Sequence, residues 1–252
     1  MIKAFIFDVD GTLADTERDG HRVAFNQAFE QAGLDWFWSE QTYGELLAVT
    51  GGKERIKFFL QTHNKPEKDH ADLEQLIKFL HARKTENYVA LLSQNAIPLR
   101  PGVKRLLQEA QAANIRLAIA TTTTPQNVTA LLENALGKES LNWFEVIGAG
   151  DIVPLKKPAP DIYDYVLQQM QLTAADCIAF EDSLNGIRSS RAANLKTIIT
   201  YNDYTCDDDF SAALLVLDQL GEADNPSQQL LKKTGQPFLT VDSILQLCDE
   251  VL

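Results

Sequence analysis

The chain has 252 residues, 45% hydrophobic and 23% charged, the balance of an ordinary globular protein with room for one large domain or a core plus an insert. A formal net charge of −12 argues against nucleic acid, whose affinity comes mostly from Lys and Arg neutralising phosphates, but a local basic pocket would still accept a small phosphorylated ligand. No apolar stretch approaches the ~20 residues of a membrane span, which argues against a membrane partner. The first strand starts at once, leaving no room for a leader or transit segment, so the expected location is the cytoplasm, or the plastid stroma in an organelle. Cys177, Cys206 and Cys248 are odd in number and far apart, which fits buried free thiols in a reducing compartment better than disulfides or a zinc site.

Residues 4–7 (Ala-Phe-Ile-Phe) form an apolar run that predicts a fully buried strand. Asp8 and Asp10 follow at spacing i, i+2, which in extended backbone turns both side chains to one face. Two carboxylates held that close repel, and a hard divalent cation with oxygen ligands is the usual remedy. Asp10-Gly11 alone would also suit a turn. Residues 17 to about 93 then read as helices. Ala24, Phe25, Ala28, Phe29 and Ala32 repeat at helical spacing before Gly33, and Tyr43, Leu46 and Leu47 mark a second, short helix. Ile56, Phe59 and Leu60 mark a third, and a fourth begins at Leu73 and runs on through Leu92. Trp36 and Trp38 are expected to pack this bundle, and His63, His70 and His81 to be surface or structural.

After Arg100-Pro101-Gly102 the pattern alternates. Helices are expected at 103–113, 125–136, 161–170 and from Ser183 through 193, with strands at 116–120, 146–147, 177–180 and 197–200. Such alternation predicts an α/β fold with a Rossmann-like parallel sheet and helices on both faces. The core would comprise residues 1–15 and 94–252, with a helical cap, residues 16–93, inserted after the first strand. Sheets of this kind bind ligands beyond the carboxyl ends of their strands. Asp8, Thr121 and Glu181-Asp182 all fall there, and Lys157 lies in a loop leading toward the same edge. Residues 202–221, with Asp207, Asp208 and Asp209 in succession, read as a solvated acidic loop, and 241–252 as a terminal helix capped by Asp242.

The Asp8-x-Asp10-Gly11-Thr12 segment resembles the first motif of the haloacid dehalogenase superfamily, whose members mostly transfer phosphoryl groups through an aspartyl-phosphate. Thr121, after Arg-Leu-Ala-Ile-Ala, is similar to the hydroxyl of the second motif. Lys157, before Pro158, is similar to the lysine of the third, chosen over Lys156 on family spacing alone. Glu181 and Asp182, after Cys-Ile-Ala-Phe, are similar to the acidic fourth motif. The resemblance implies Asp8 as nucleophile and Asp10 as general acid and base. Thr121, with Thr122, Thr123 and nearby amides, would hold the transferring group, and Lys157 would offset its charge. Mg²⁺ would sit on Asp8, Asp182 and the Asp10 carbonyl, with Glu181 binding directly or through water.

The insert resembles the subgroup of beta-phosphoglucomutase and small sugar-phosphate phosphatases. Asp15-Thr16-Glu17-Arg18-Asp19-Gly20-His21-Arg22 and Thr50-Gly51-Gly52-Lys53-Glu54-Arg55 look like its CbbY branch, over roughly residues 1–201. That branch is associated with dephosphorylating xylulose-1,5-bisphosphate, a misfire product that inhibits the carbon-fixing enzyme Rubisco. The residue types suit such a ligand. Gly51-Gly52 exposes backbone N–H groups ahead of a helix, Lys53 and Arg55 add positive charge for a second phosphate, and Glu17 and His21 sit one turn apart to read sugar hydroxyls. The implied ligand is a small phosphorylated sugar, handled by a monomer. A phosphomutase on the same core, a non-catalytic phosphosugar sensor and a nucleotide-sugar transferase are the alternatives.

Overall fold

The computed structural model describes residues 1–63, 70–94 and 97–250. Its centre is β1 (Ala4–Phe7), flanked in a parallel sheet by β2 (Arg116–Ala120), β3 (Phe144–Gly148), β4 (Cys177–Glu181), β5 (Lys196–Thr200) and β6 (Leu215–Leu217). The strand order is β3-β2-β1-β4-β5-β6. A central parallel strand is covered on both faces, and the sequence of β1 meets both demands. Phe5 and Phe7 point to one side, where Phe7 stacks on Phe180 of β4 with ring centroids 4.3 Å apart. Ala4 and Ile6 point to the other, joining Ala118, Ala120 and Ala179 in a layer of mostly small side chains. Burying each large apolar side chain contributes roughly 1.5–3 kcal/mol, so the sheet centre is well anchored.

Between β1 and β2 come α1 (Arg22–Gln31), α2 (Glu40–Leu46), α3 (Gly52–Thr62) and α4 (His70–Ser93), followed by α5 (Val103–Ala112). The first four share a core of Phe25, Phe29, Trp38, Tyr43, Leu46, Ile56, Phe59, Ile77 and Leu80. Trp38 is fully buried, and Trp36 meets Phe29 and Phe59 edge-on, as expected for cap packing. The bundle is not wholly separate: Ala24, Tyr88 and Leu92 belong to the main core under the sheet. The remaining helices are α6 (Pro125–Leu136), α7 (Asp161–Met170), α8 (Leu184–Ala192), α9 (Gln228–Thr234) and α10 (Val241–Glu250). Ile162, Tyr163 and Val166 of α7 fill the small-residue face of the sheet.

Several expectations change. Residues 202–221 are not one solvated loop. They contain β6, which pairs with β5 through Leu215, Val216 and Leu217, an apolar triplet that the surrounding acids obscure. Helix α9, capped by the Ser227 hydroxyl accepting the Leu230 N–H, was not anticipated. At α10 the Thr240 side chain does the capping, accepting the Ser243 N–H at 3.1 Å, while Asp242 is exposed. Residues 251–252 and the His70 side chain lie outside the described parts. Cys177 and Cys248 are buried free thiols, but Cys206 is exposed. His63 is exposed and stacks on Phe59.

Candidate active site

At the carboxyl edge of the sheet, the Asp8 N–H donates to Phe180 O at 3.0 Å, which fixes the residue directly beside the end of β4. Lys157, from the loop between β3 and α7, reaches under it. Its Nζ donates to Asp8 Oδ1 (2.7 Å), Ala120 O (2.8 Å) and Glu181 Oε1 (2.6 Å). Tyr163 donates to the same Glu181 oxygen at 2.5 Å. Burial alone would lower the Lys157 pKa, but Asp8 and Glu181 hold the ammonium well above its ordinary range. Asp8 is pushed up to about 7, since burial, with Glu181 and Asp10 nearby, outweighs the pull of Lys157. Burial, Asp8 and Glu181 likewise push Asp182 well above the carboxylate range.

Oxygens of Asp8, Glu181 and Asp182 lie within 4.8 Å of one another, all three residues being buried. Glu181 Oε2 is buried without a hydrogen-bond partner. Three buried carboxylates, when ionised, outnumber the one Lys157 ammonium bonded to Asp8 and Glu181 and leave an excess of negative charge. An all-oxygen donor set of this kind suits a hard divalent cation such as Mg²⁺. The residues therefore fit the cation that the sequence resemblance implies. Gly11, at φ +82°, makes the turn above them; a Cβ there would collide with the Asp182 carboxylate and lie 2.8 Å from Asn202 Nδ2.

Asp10 does not share this cluster through its carboxylate, contrary to the simple expectation from the i, i+2 spacing. The strand ends at Phe7, and Asp10 turns toward the cap, where Thr16 Oγ1 donates to Oδ1 at 2.6 Å and His21 Nε2 lies 2.9 Å from the same oxygen. Burial would raise the Asp10 pKa, but His21 and Thr16 outweigh it and hold the carboxyl well below its usual range. Only the backbone carbonyl of Asp10 remains for a cation.

Between core and cap lies a cavity of about 320 Å³ whose walls include Asp8, Asp10, Glu17, Thr121, Lys157 and Asp182. A narrow extension of about 40 Å³ continues on the cap side, lined by Gly51, Gly52, His81, Lys84, Thr123 and Asn127. Glu17, Arg55 and Thr122 border both spaces. Arg55 is buried; its Nη1 donates to the Tyr43 hydroxyl at 2.6 Å, which in turn donates to Glu17 Oε2 at 2.5 Å. Thr121 is buried at the end of β2, and the Thr123 hydroxyl accepts from Asn127 Nδ2 at 3.0 Å. His21 is buried against Tyr88 and lines the extension beside Asp10. Lys53 departs from expectation. It borders neither space, and its Nζ donates to Asp151 Oδ2 at 2.7 Å across the outer rim, because its position after Gly52 turns it out of the cleft.

A model of the haloacid dehalogenase-like hydrolases matches residues 2–194. The chain belongs to that family. Among its relatives, the plasmid-encoded CbbY protein of Cupriavidus necator is 45% identical over 228 residues, covering 90% of this chain and 89% of the relative. CbbY of Rhodobacter capsulatus is 49% identical over 84% of this chain and 91% of its own length. A crystal structure of a CbbY variant from Rhodobacter sphaeroides in complex with xylulose-(1,5)bisphosphate is 46% identical, with a TM-score of 0.80 over 87% of this chain and 95% of that one. This haloacid dehalogenase-like hydrolase is thus an enzyme, a phosphatase of the CbbY-like branch. Among its described residues no helix is long and apolar enough to cross a membrane.

Asp8, Thr121, Lys157, Glu181 and Asp182 of this hydrolase are brought together around one cavity at the carboxyl edge of the sheet. Five further residues were not singled out. Thr16 holds Asp10, Tyr43 links Arg55 to Glu17, Tyr163 holds Glu181, Asn202 holds Asp182, and Lys84 is a buried cation in the narrow extension. Lys84 is the one with a detectable signal, a charge at Leu80+4 on the buried stripe of α4.

Proposed function

We propose that the enzyme is a Mg²⁺-dependent phosphatase of a small sugar bisphosphate, with xylulose-1,5-bisphosphate the best candidate, acting through a phosphoryl group carried on Asp8. What carries the reading is the placement of Asp8: at the floor of the cavity, bonded to Lys157, with Asp10 held separately on the cap side. Separate environments let two carboxylates two residues apart play different parts.

An Asp8 oxygen attacks phosphorus, and the P–O bond to the sugar breaks as the departing alkoxide takes a proton from Asp10. Asp10 takes that proton from solvent as the substrate dianion enters beside it, and returns to solvent the one it later takes from water as phosphate leaves. Water then attacks the phosphoryl group, Asp10 takes one of its protons, and the bond to Asp8 breaks to release inorganic phosphate. Thr121 and the Thr122 and Thr123 amides bond the equatorial oxygens, and Lys157 balances their charge. Asp8, Asp182 and the Asp10 carbonyl, with Glu181 nearby, would hold a Mg²⁺ ion, which would supply Lewis-acid neutralisation of the phosphate oxygens. The second phosphate sits in the narrow extension against Arg55, Lys84 and the Gly51-Gly52 backbone, while Glu17 and His21 face the sugar. Agreement with the CbbY relatives, one of them solved with xylulose-(1,5)bisphosphate, supports this choice of ligand.

The test is a phosphate-release screen over pentulose and hexose mono- and bisphosphates with wild type and Asp8→Asn. The variant is expected to fold normally and lose hydrolysis, and the wild type to prefer a bisphosphate and yield inorganic phosphate. Full turnover in Asp8→Asn, or an isomerised sugar phosphate as the product, would overturn the reading.

A further inference from the structure

We infer that Asn202 is a positioning residue of the cation site, its side-chain amide orienting Asp182 so that the carboxylate presents a free oxygen to the ion. The inference rests on the cation site proposed above. Asn202 Nδ2 donates to Asp182 Oδ2 at 2.7 Å. Every other polar group of Asn202 is engaged in a way that leaves only this donor end available. Its N–H donates to Thr205 Oγ1 (3.0 Å), its carbonyl accepts the Thr205 N–H (3.1 Å), and its Oδ1 accepts the Tyr204 N–H (2.9 Å). The amide is therefore locked in one orientation, acceptor toward the turn and donor toward Asp182.

The base of that turn is rigid as well. Buried Arg100 donates to the carbonyls of Thr200 (2.7 Å), Tyr201 (2.6 Å) and Asp218 (2.8 Å), and also to that of Gly11. One guanidinium thus ties the loop after β5 to the loop after β1, the two that carry Asn202 and Asp10. Gly11 lies close to both the Asp182 carboxylate and the Asn202 amide, so that a Cβ there would meet both. On the far side the Tyr204 ring is seated on α2: it lies 6.2 Å from the Tyr43 ring, and a Cβ at Gly44 would come within 3.1 Å of it.

The chemistry follows from what a carboxylate near a cation needs. With Oδ2 committed to an N–H donor, Asp182 is held in one rotamer and does not have to be ordered when the ion arrives. Partners of this kind, one shell removed from a metal, commonly change its affinity by ~10–100-fold when they are removed. Asparagine suits the position because it offers a donor and an acceptor from one planar group.

The experiment is calorimetric titration of Mg²⁺ into the substrate-free protein, for wild type, Asn202→Ala, Asn202→Ser and Asp182→Asn, with melting temperatures of each in chelator. Serine retains a hydroxyl to accept the Tyr204 N–H but is too short to reach Asp182. Both Asn202 variants are expected to bind Mg²⁺ ~10–100-fold more weakly, while phosphate release recovers as Mg²⁺ is raised by the same factor. Asp182→Asn is expected to lose binding altogether. Wild-type Mg²⁺ affinity in Asn202→Ser, with a melting temperature near that of wild type, would overturn the inference and leave the cation site standing. Undiminished Mg²⁺ binding in Asp182→Asn would instead remove the site on which it rests.

Discussion

Lys84 places an ammonium in the narrow end of the cleft with aromatic rings for neighbours, its Nζ 5.2 Å from the Phe25 ring centre and 5.3 Å from that of Tyr88. Burial lowers its pKa to about 8, against the opposing pull of Asp10 and Glu17. The charge is therefore present at pH 7 and lost as pH rises through about 8. Two neighbours do not share that loss: burial and the nearby lysines hold His81 neutral, with a pKa of about 4, and Arg55 stays charged throughout. If the second phosphate meets Lys84, KM for the bisphosphate should climb above pH 8, by at most about tenfold per pH unit. Lys84→Met should raise KM on the order of 10- to 100-fold at pH 7, the usual range for a hydrogen bond to a charged group, and flatten the alkaline limb. Steady-state KM against pH for both proteins checks this; an unchanged limb in the variant assigns the titration to another group.

At the scale of elements, a set of polar contacts around the rim joins the cap to the core, in addition to the apolar packing of Ala24, Tyr88 and Leu92. Asp151, in the loop after β3, takes Lys53 of α3 at 2.7 Å and Lys156 at 2.8 Å, and Lys156 lies 3.6 Å from Glu54. Opposite, Asn185 of α8 donates to Ala48 O and Thr50 Oγ1. Asp151 is more than half exposed, so the ion pairs are worth on the order of 1 kcal/mol or less and are screened by salt. Interactions that weak would suit a cap that opens to release product. Asp151→Ala is expected to raise KM a few-fold with little change in melting temperature, and to make KM less sensitive to added NaCl than in wild type. Equal salt sensitivity in the two proteins would show that the rim pairs do not govern closure.

The same elements show where sequence reasoning holds and where it stops. Strands β1, β2 and β4 are legible because central parallel strands must be apolar on both faces, so polar residues directly after them mark the ligand edge. Lys53 was misplaced because its neighbours along the chain fix a helix start but not which rim of the cleft the side chain faces. Lys84 was passed over in a 24-residue helix bearing several charges, although its place four residues after Leu80 sets it on the apolar stripe apart from the solvated lysines. Asn202 and β6 were hidden in an acidic stretch whose average composition says loop, although single residues within it bond to the site.

For the molecule as a whole, the buried carboxylate cluster is a strain that the proposed cation would relieve. Without the ion, folding buries Asp8 and Asp182 beside Glu181, with Asp8 raised to about 7 and Asp182 also raised. The folded state then holds more protons than the unfolded chain between the ordinary aspartate value and about 7, so stability falls as pH rises through that window. Asp10 has the opposite sign, but its depressed value moves its effect to acid pH, below the window. Mg²⁺, if it is the ion as proposed, binds only the folded state and only the ionised carboxylates. At 100 times its Kd it should add about 2.7 kcal/mol, and each kcal/mol is worth roughly 2–4 °C for a domain of 150–250 residues. In chelator, the melting temperature should therefore rise as pH is lowered from 8 to 6. The increment that a fixed Mg²⁺ concentration adds should be larger at pH 8 than at pH 6, where protons compete for the same oxygens. Differential scanning calorimetry at both pH values, with and without Mg²⁺, decides the matter. An increment that is absent, or larger at pH 6, would mean that these buried acids are neutralised by something other than a cation.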